Sequence, residues 1–193
     1  MTTTAAPAQV QRSTLWASLA AAGAGGVLAI TAAIFDQPLL LLAGASTVAI
    51  ALVVLAAIHD ARTGLLPNRL LAPAGALLAI ALPLHALLTG DPARLGQGLL
   101  GAGIVAALYM AVYAAGGTSA GDVKLATIIG LHTAYLSWMG GAIALATPYL
   151  LAVPVVIYFA ARGQAKRRIP FGPFLAAGYG VALASTALSA WAL

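Results

Sequence analysis

The chain has 193 residues, of which 62% are hydrophobic and only 7% charged, and it carries a formal charge of +5. A soluble domain holds about a quarter of its residues as charged side chains, so neither that class nor a disordered polymer fits. A mean hydropathy of +1.01 points instead to a multi-pass membrane protein. The absence of cysteine excludes disulfides, thiolate zinc sites and thiol nucleophiles.

After a polar tail at 1–14, apolar runs fall at 15–35, 38–58, 70–88, 98–115, 123–138, 140–160 and 174–193. Their length and lack of strand-type alternation predict helices, since a chain in lipid must satisfy its own backbone hydrogen bonds. The expected fold is an all-α polytopic bundle of about seven transmembrane helices in one domain, 15–193. The fifth and sixth runs meet at Met139, Gly140 and Gly141, and a six-helix count follows if they fuse. Trp16, Trp138 and Trp191 lie near expected helix ends, as interfacial anchors do. The many Gly and Ala residues suit close packing of helices in a bilayer.

The basic residues fall between these runs, so they report orientation, and no nucleic-acid partner is expected. Arg12, Arg62, Arg69, Lys124, Arg162, Lys166, Arg167 and Arg168 share the N-terminal side of a seven-helix arrangement, against Arg94 on the other. Positive charge favours the cytoplasm, which places the N-terminus there and the C-terminus outside. Fusing the fifth and sixth runs would move the 162–168 cluster outside, so the bias favours seven helices.

The acidic residues are Asp36, Asp60, Asp91 and Asp122, and there is no Glu. Asp36 and Asp91 fall in short loops next to proline, where a solvated turn explains them. Asp60 ends the second expected helix and Asp122 opens the fifth, both at the cytoplasmic boundary, where ionisable groups are costly and usually functional. Two carboxyls sharing a proton can activate water and protonate a leaving amine. The plainer alternative is that they flank helices or pair with Arg62 and Lys124. His59 reads as a boundary residue, and His85 and His132, in apolar runs, show no metal-ligand spacing; no metal or cofactor is expected. Helix dipoles would leave the shared proton mainly on Asp60, at a helix C-terminus, and the anion on Asp122, at an N-terminus.

Asp60 lies in HDARTGLLPNRL, Asp122 in GGTSAGDVKLA, and residues 167–178 read RRIPFGPFLAAG. Together these resemble the type IV prepilin peptidase family of membrane-embedded aspartic peptidases. Its first catalytic Asp precedes a Leu-Pro-Asn or Ile-Pro-Asn element, its second closes Gly-x-Gly-Asp before Val-Lys-Leu, and a Pro-Phe-Gly-Pro element precedes the last helix. The elements occur in the family's order over roughly residues 45 to 180. The resemblance implies catalytic Asp60 and Asp122, supported by Pro67, Asn68, Gly121, Lys124, Pro170, Phe171, Gly172 and Pro173. One departure is Ser119, which stands where the motif has its first Gly.

The resemblance further implies cleavage of the leader of type IV pilin-like or pseudopilin precursors at the cytoplasmic membrane interface, with precursor and lipid bilayer as partners, in pilus assembly or protein secretion. The cysteine-rich zinc segment of the larger members is missing, which implies a peptidase without methyltransferase activity. The rival functions are a non-catalytic scaffold of a pilus or secretion system and a small proton-coupled transporter. A transporter would need polar residues at mid-helix depth, and the central parts of the runs hold almost none. Oligomeric state is not legible.

Overall fold

A computed structural model describes residues 37–164 and 169–191. The first expected helix, the tail, Arg12, Trp16, Asp36, Lys166, Arg167 and Arg168 lie outside the described residues. Within them the chain forms six helices: α1 (Pro38–Thr63), α2 (Asn68–Thr89), α3 (Pro92–Ala114), α4 (Ala120–Leu136), α5 (Trp138–Ala161) and α6 (Gly172–Trp191). Four of them, α1, α2, α3 and α5, are long and apolar enough to cross a membrane.

The ends follow local chemistry. Pro38 and Pro92 open α1 and α3, where a missing N–H costs nothing. α1 runs five residues beyond its apolar run and stops at Gly64, whose left-handed backbone (φ 67°) sends its N–H to the Asp60 carbonyl oxygen at 2.7 Å; glycine is the residue that adopts this conformation without strain.

The fifth and sixth runs are separate helices, but the break is at Ser137 rather than at the glycines. Ser137 is extended (φ −165°, ψ 138°), and its hydroxyl accepts the Gly140 N–H at 3.4 Å. Gly140 and Gly141 lie inside α5, where they allow close approach: a Cβ on Gly141 would stand 3.0 Å from that of Ala134.

α4 is the central helix, packed against α2, α3, α5 and α6. Its contact with α3 is made through small residues. A Cβ at Gly130 would meet Val105 at 2.8 Å, and one at Gly101 would overlap Ala134, so the two backbones meet almost directly. Pro148 inside α5 seats its ring against Gly178 of α6, leaving 2.7 Å for any added Cβ. The outer helices α3 and α5 expose Leu99, Leu100, Ile104, Leu150, Val153 and Ile157, the surface a bilayer requires and water does not tolerate.

Candidate active site

Asp60, three residues from the end of α1, and Asp122, the third residue of α4, are both buried, at 4% and 5% exposure. They are close enough for the charge of Asp122 to act on Asp60. Neither makes a salt bridge: among the described residues the ion pair is Arg94 with Asp91, so pairing with Arg62 or Lys124 is not what places these carboxyls. Asp91 caps α3, taking the Arg94 N–H at 3.4 Å, in keeping with a turn residue.

Asp122 is held by its own helix start. Its Oδ2 accepts the Thr118 hydroxyl at 2.9 Å and the Ser119 N–H at 2.9 Å, while Ser119 Oγ accepts the Asp122 N–H at 3.2 Å. This reciprocal arrangement is a capping box. Ser119 thus exchanges the freedom of the motif glycine for a cap, and with φ −101° it has no need of glycine. The Ser-x-x-Asp spacing was visible in the sequence; the part of Thr118 was not.

Asp60 is held from a distant segment. The N–H of Gly172 donates to its Oδ2 at 2.8 Å across 112 residues. A Cβ on Gly172 would stand 2.8 Å from that oxygen and 3.0 Å from the Asp60 Cβ, so this glycine is required by proximity. Asp60 therefore lies near the C-terminal end of its own helix and at the N-terminus of α6. The dipole contrast expected between the two carboxyls narrows accordingly; what remains is two donors on Asp122 against one on Asp60.

The other motif residues join these two ends. Pro67 is the residue before α2, and Asn68 Oδ1 accepts from Lys124 Nζ at 3.1 Å, tying the Leu-Pro-Asn element to the helix that carries Asp122. Gly121 leaves room for Leu66, whose Cβ would lie 2.8 Å from an added methyl. His59 Nδ1 lies 2.9 Å from the Leu65 carbonyl oxygen and 3.0 Å from Thr63 Oγ1, fixing the same turn, as a boundary residue would.

Pro170 and Phe171 lead into α6, and Pro173 is its second residue. The Phe171 ring lies 5.4 Å from that of Tyr149 and 6.3 Å from that of Tyr109. Tyr109 is fully buried, and among the described residues its hydroxyl meets no partner in ordinary hydrogen-bond geometry although Tyr149 is adjacent.

Two buried carboxyls near enough for the charge of one to act on the other, with no salt bridge to either among the described residues, suit acid/base chemistry on water, since one proton shared between them relieves the repulsion. Neither a curated protein nor a solved structure matches the chain. A family model does, over residues 47–188, from within α1 to near the end of α6. The chain spans all three motif segments within that match and belongs to the type IV leader peptidase family.

Proposed function

We propose that this protein is an integral membrane aspartic endopeptidase that removes the leader of type IV pilin-like or pseudopilin precursors. The family implies leader-peptidase function. The observation that carries the aspartic assignment is the burial of Asp60 and Asp122, near enough for one charge to act on the other and without a salt bridge among the described residues, each oriented by donors from a family motif.

In this mechanism water is the nucleophile. Asp122, with two donors and a helix N-terminus stabilising its anion, takes a proton from water as the oxygen adds to the peptide carbonyl carbon. Asp60 carries the shared proton, and the dyad protonates the amine as the C–N bond breaks. The two titrate as a unit. The substrate presents an apolar helix preceded by a polar leader, so its scissile bond arrives where α1 ends and α4 begins. The bundle lies in the cytoplasmic membrane as seven spans, N-terminus and dyad on the cytoplasmic face. No cofactor and no methyl transfer are involved.

Co-expression with candidate precursors tests the activity: a mobility shift of the precursor is expected only with the intact chain. If no pilin-like or pseudopilin precursor is shortened, the proposed substrate class is wrong. Reporter fusions test the topology, with cytoplasmic signals expected after Ala61, Thr118 and Gln164 and the opposite after Gln37, Gly90 and Leu193. An external signal at Gln164 would separate the basic cluster from the dyad's face and overturn the arrangement.

A further inference from the structure

The aspartates lie on α1 and α4, yet these two helices are not among the closely packed pairs; each is packed instead against α2 and α6. Apolar contacts of small residues are non-directional and tolerate sliding, whereas a displacement by one residue moves a helix about 1.5 Å along its axis. Something directional must fix the register of α1 against α4.

A direct polar link between them is His132. It is fully buried, with 0% exposure, in α4. Its Nε2 lies 2.9 Å from Ser46 Oγ of α1, and its Nδ1 is hydrogen-bonded to the hydroxyl of Tyr179 of α6, the two rings meeting edge to face at 5.8 Å. Both ring nitrogens are therefore engaged, by two different helices. An imidazole in the interior of a membrane bundle is expensive and normally has a purpose. The helices it joins are the three that deliver Asp60, Asp122 and the Gly172 N–H.

We propose that His132 is a positioning residue for the peptidase dyad, tying α1, α4 and α6 at the register in which Asp60, Asp122 and Gly172 meet. It acts through geometry alone, since Asp122 lies ten residues away along α4, roughly 15 Å at the helical rise. Loss of the imidazole leaves the Ser46 and Tyr179 hydroxyls unmatched and frees the two aspartate helices to shift. A misplacement of about 1 Å at reacting groups is enough to slow a reaction by about 100-fold.

The test uses the full chain in bilayer nanodiscs. Ala61→Cys, next to Asp60, and Ala120→Cys, two residues before Asp122, are both at exposed positions; they carry spin labels in the naturally cysteine-free background, and pulsed electron resonance reads the distance between them. His132→Leu should broaden a narrow distance distribution, and His132→Gln, which keeps a donor and an acceptor, should restore it. In the unlabelled enzyme His132→Leu should lower kcat about 10- to 100-fold with KM within about threefold.

Should His132→Leu not fold, Ser46→Ala and Tyr179→Phe take its place, with broadening expected in each. An unchanged distance distribution in a folded variant overturns the proposal, whatever happens to the rate. The cleavage arm rests on the peptidase function, and its probe is a synthetic precursor with a short basic leader before an apolar helix. If the wild-type chain cleaves no precursor, that function falls, while the distance arm still decides the role of His132.

Discussion

Asp91 and Asp122 both serve a helix start, the first as N-cap and the second as third residue, in opposite surroundings. Asp91 takes the Arg94 backbone N–H and pairs with its guanidinium at 2.9 Å, with side chains 41% and 52% exposed. Asp122 supplies the reciprocal half of a capping box, taking the N-cap N–H of Ser119 at 5% exposure, and it lies within electrostatic reach of another carboxyl. The first is stabilised by a cap and screened by water, an arrangement worth about 1 kcal/mol or less. The second is hydrogen-bonded and buried, and among the described residues it has no salt bridge. Local capping thus says nothing about chemistry; the difference is made by what the rest of the fold brings to the carboxylate.

The contrast is sharpest by truncation. Asp60→Ala and Asp122→Ala should each reduce leader cleavage by at least about 1,000-fold, with membrane insertion intact, and the double variant should be little worse, as for groups acting as a unit. Gel analysis of precursor and mature forms reads this, and near-normal processing by either single variant would remove the dyad.

Gly172→Ala comes next. The added methyl must displace the Asp60 carboxyl, and a loss in kcat of roughly 10- to 100-fold is expected, with KM little changed. Full activity in steady-state assays would show that the α6 N-terminus does not set the position of Asp60.

Asparagine mimics a neutral carboxyl, so Asp60→Asn should retain about tenfold more residual activity than Asp122→Asn, the order expected if the proton resides on Asp60 and each tenfold corresponds to about 1.4 kcal/mol. The reverse order between pH 5 and 8 would exchange the two roles. Lys124→Met removes the link to Asn68 and should cost only about fivefold, in line with the roughly 1 kcal/mol of one hydrogen bond; an effect as large as that of Gly172→Ala would place Lys124 at the substrate. Smallest of all, Asp91→Ala should leave the cleavage rate within about twofold, and a larger change would mean that the two capped aspartates differ less than their burial says.

Much of this was legible in one dimension. Apolar length gave the helices, and the proximity of the motif segments followed from their resemblance to a family. What escaped was long-range and polar. The Gly172 N–H reaches Asp60 across 112 residues, and His132 finds Ser46 and Tyr179 across 86 and 47. Single serines, tyrosines and histidines inside apolar runs look like noise until the helices are assembled. For that reason the expectation that the helix interiors hold almost no polar residues needs correcting: His132, Ser46 and Tyr179 populate them. Their bonds run between helices, and periodicity within one helix cannot predict them. The break at Ser137 escaped for a related reason, because glycine is read as a breaker unless its role in packing is known.

The lengths of α4 and α5 carry a further consequence. They start side by side at Ser137, but α4 has 17 residues and α5 has 24, about 26 Å against 36 Å at the helical rise. The end of α4 that bears Asp122 therefore stops about 10 Å short of the end of α5, where Arg162 lies over the Tyr158 ring at 4.6 Å, a cation and an aromatic of the kind that settle among lipid headgroups. In the proposed orientation Asp122 would sit below the level of Arg162, with the difference in helix length as a depth gauge. Lipids with longer acyl chains should then set Asp122 a few ångströms deeper, and in that orientation bilayer thickness itself becomes a determinant of which bond in an incoming chain is presented to water.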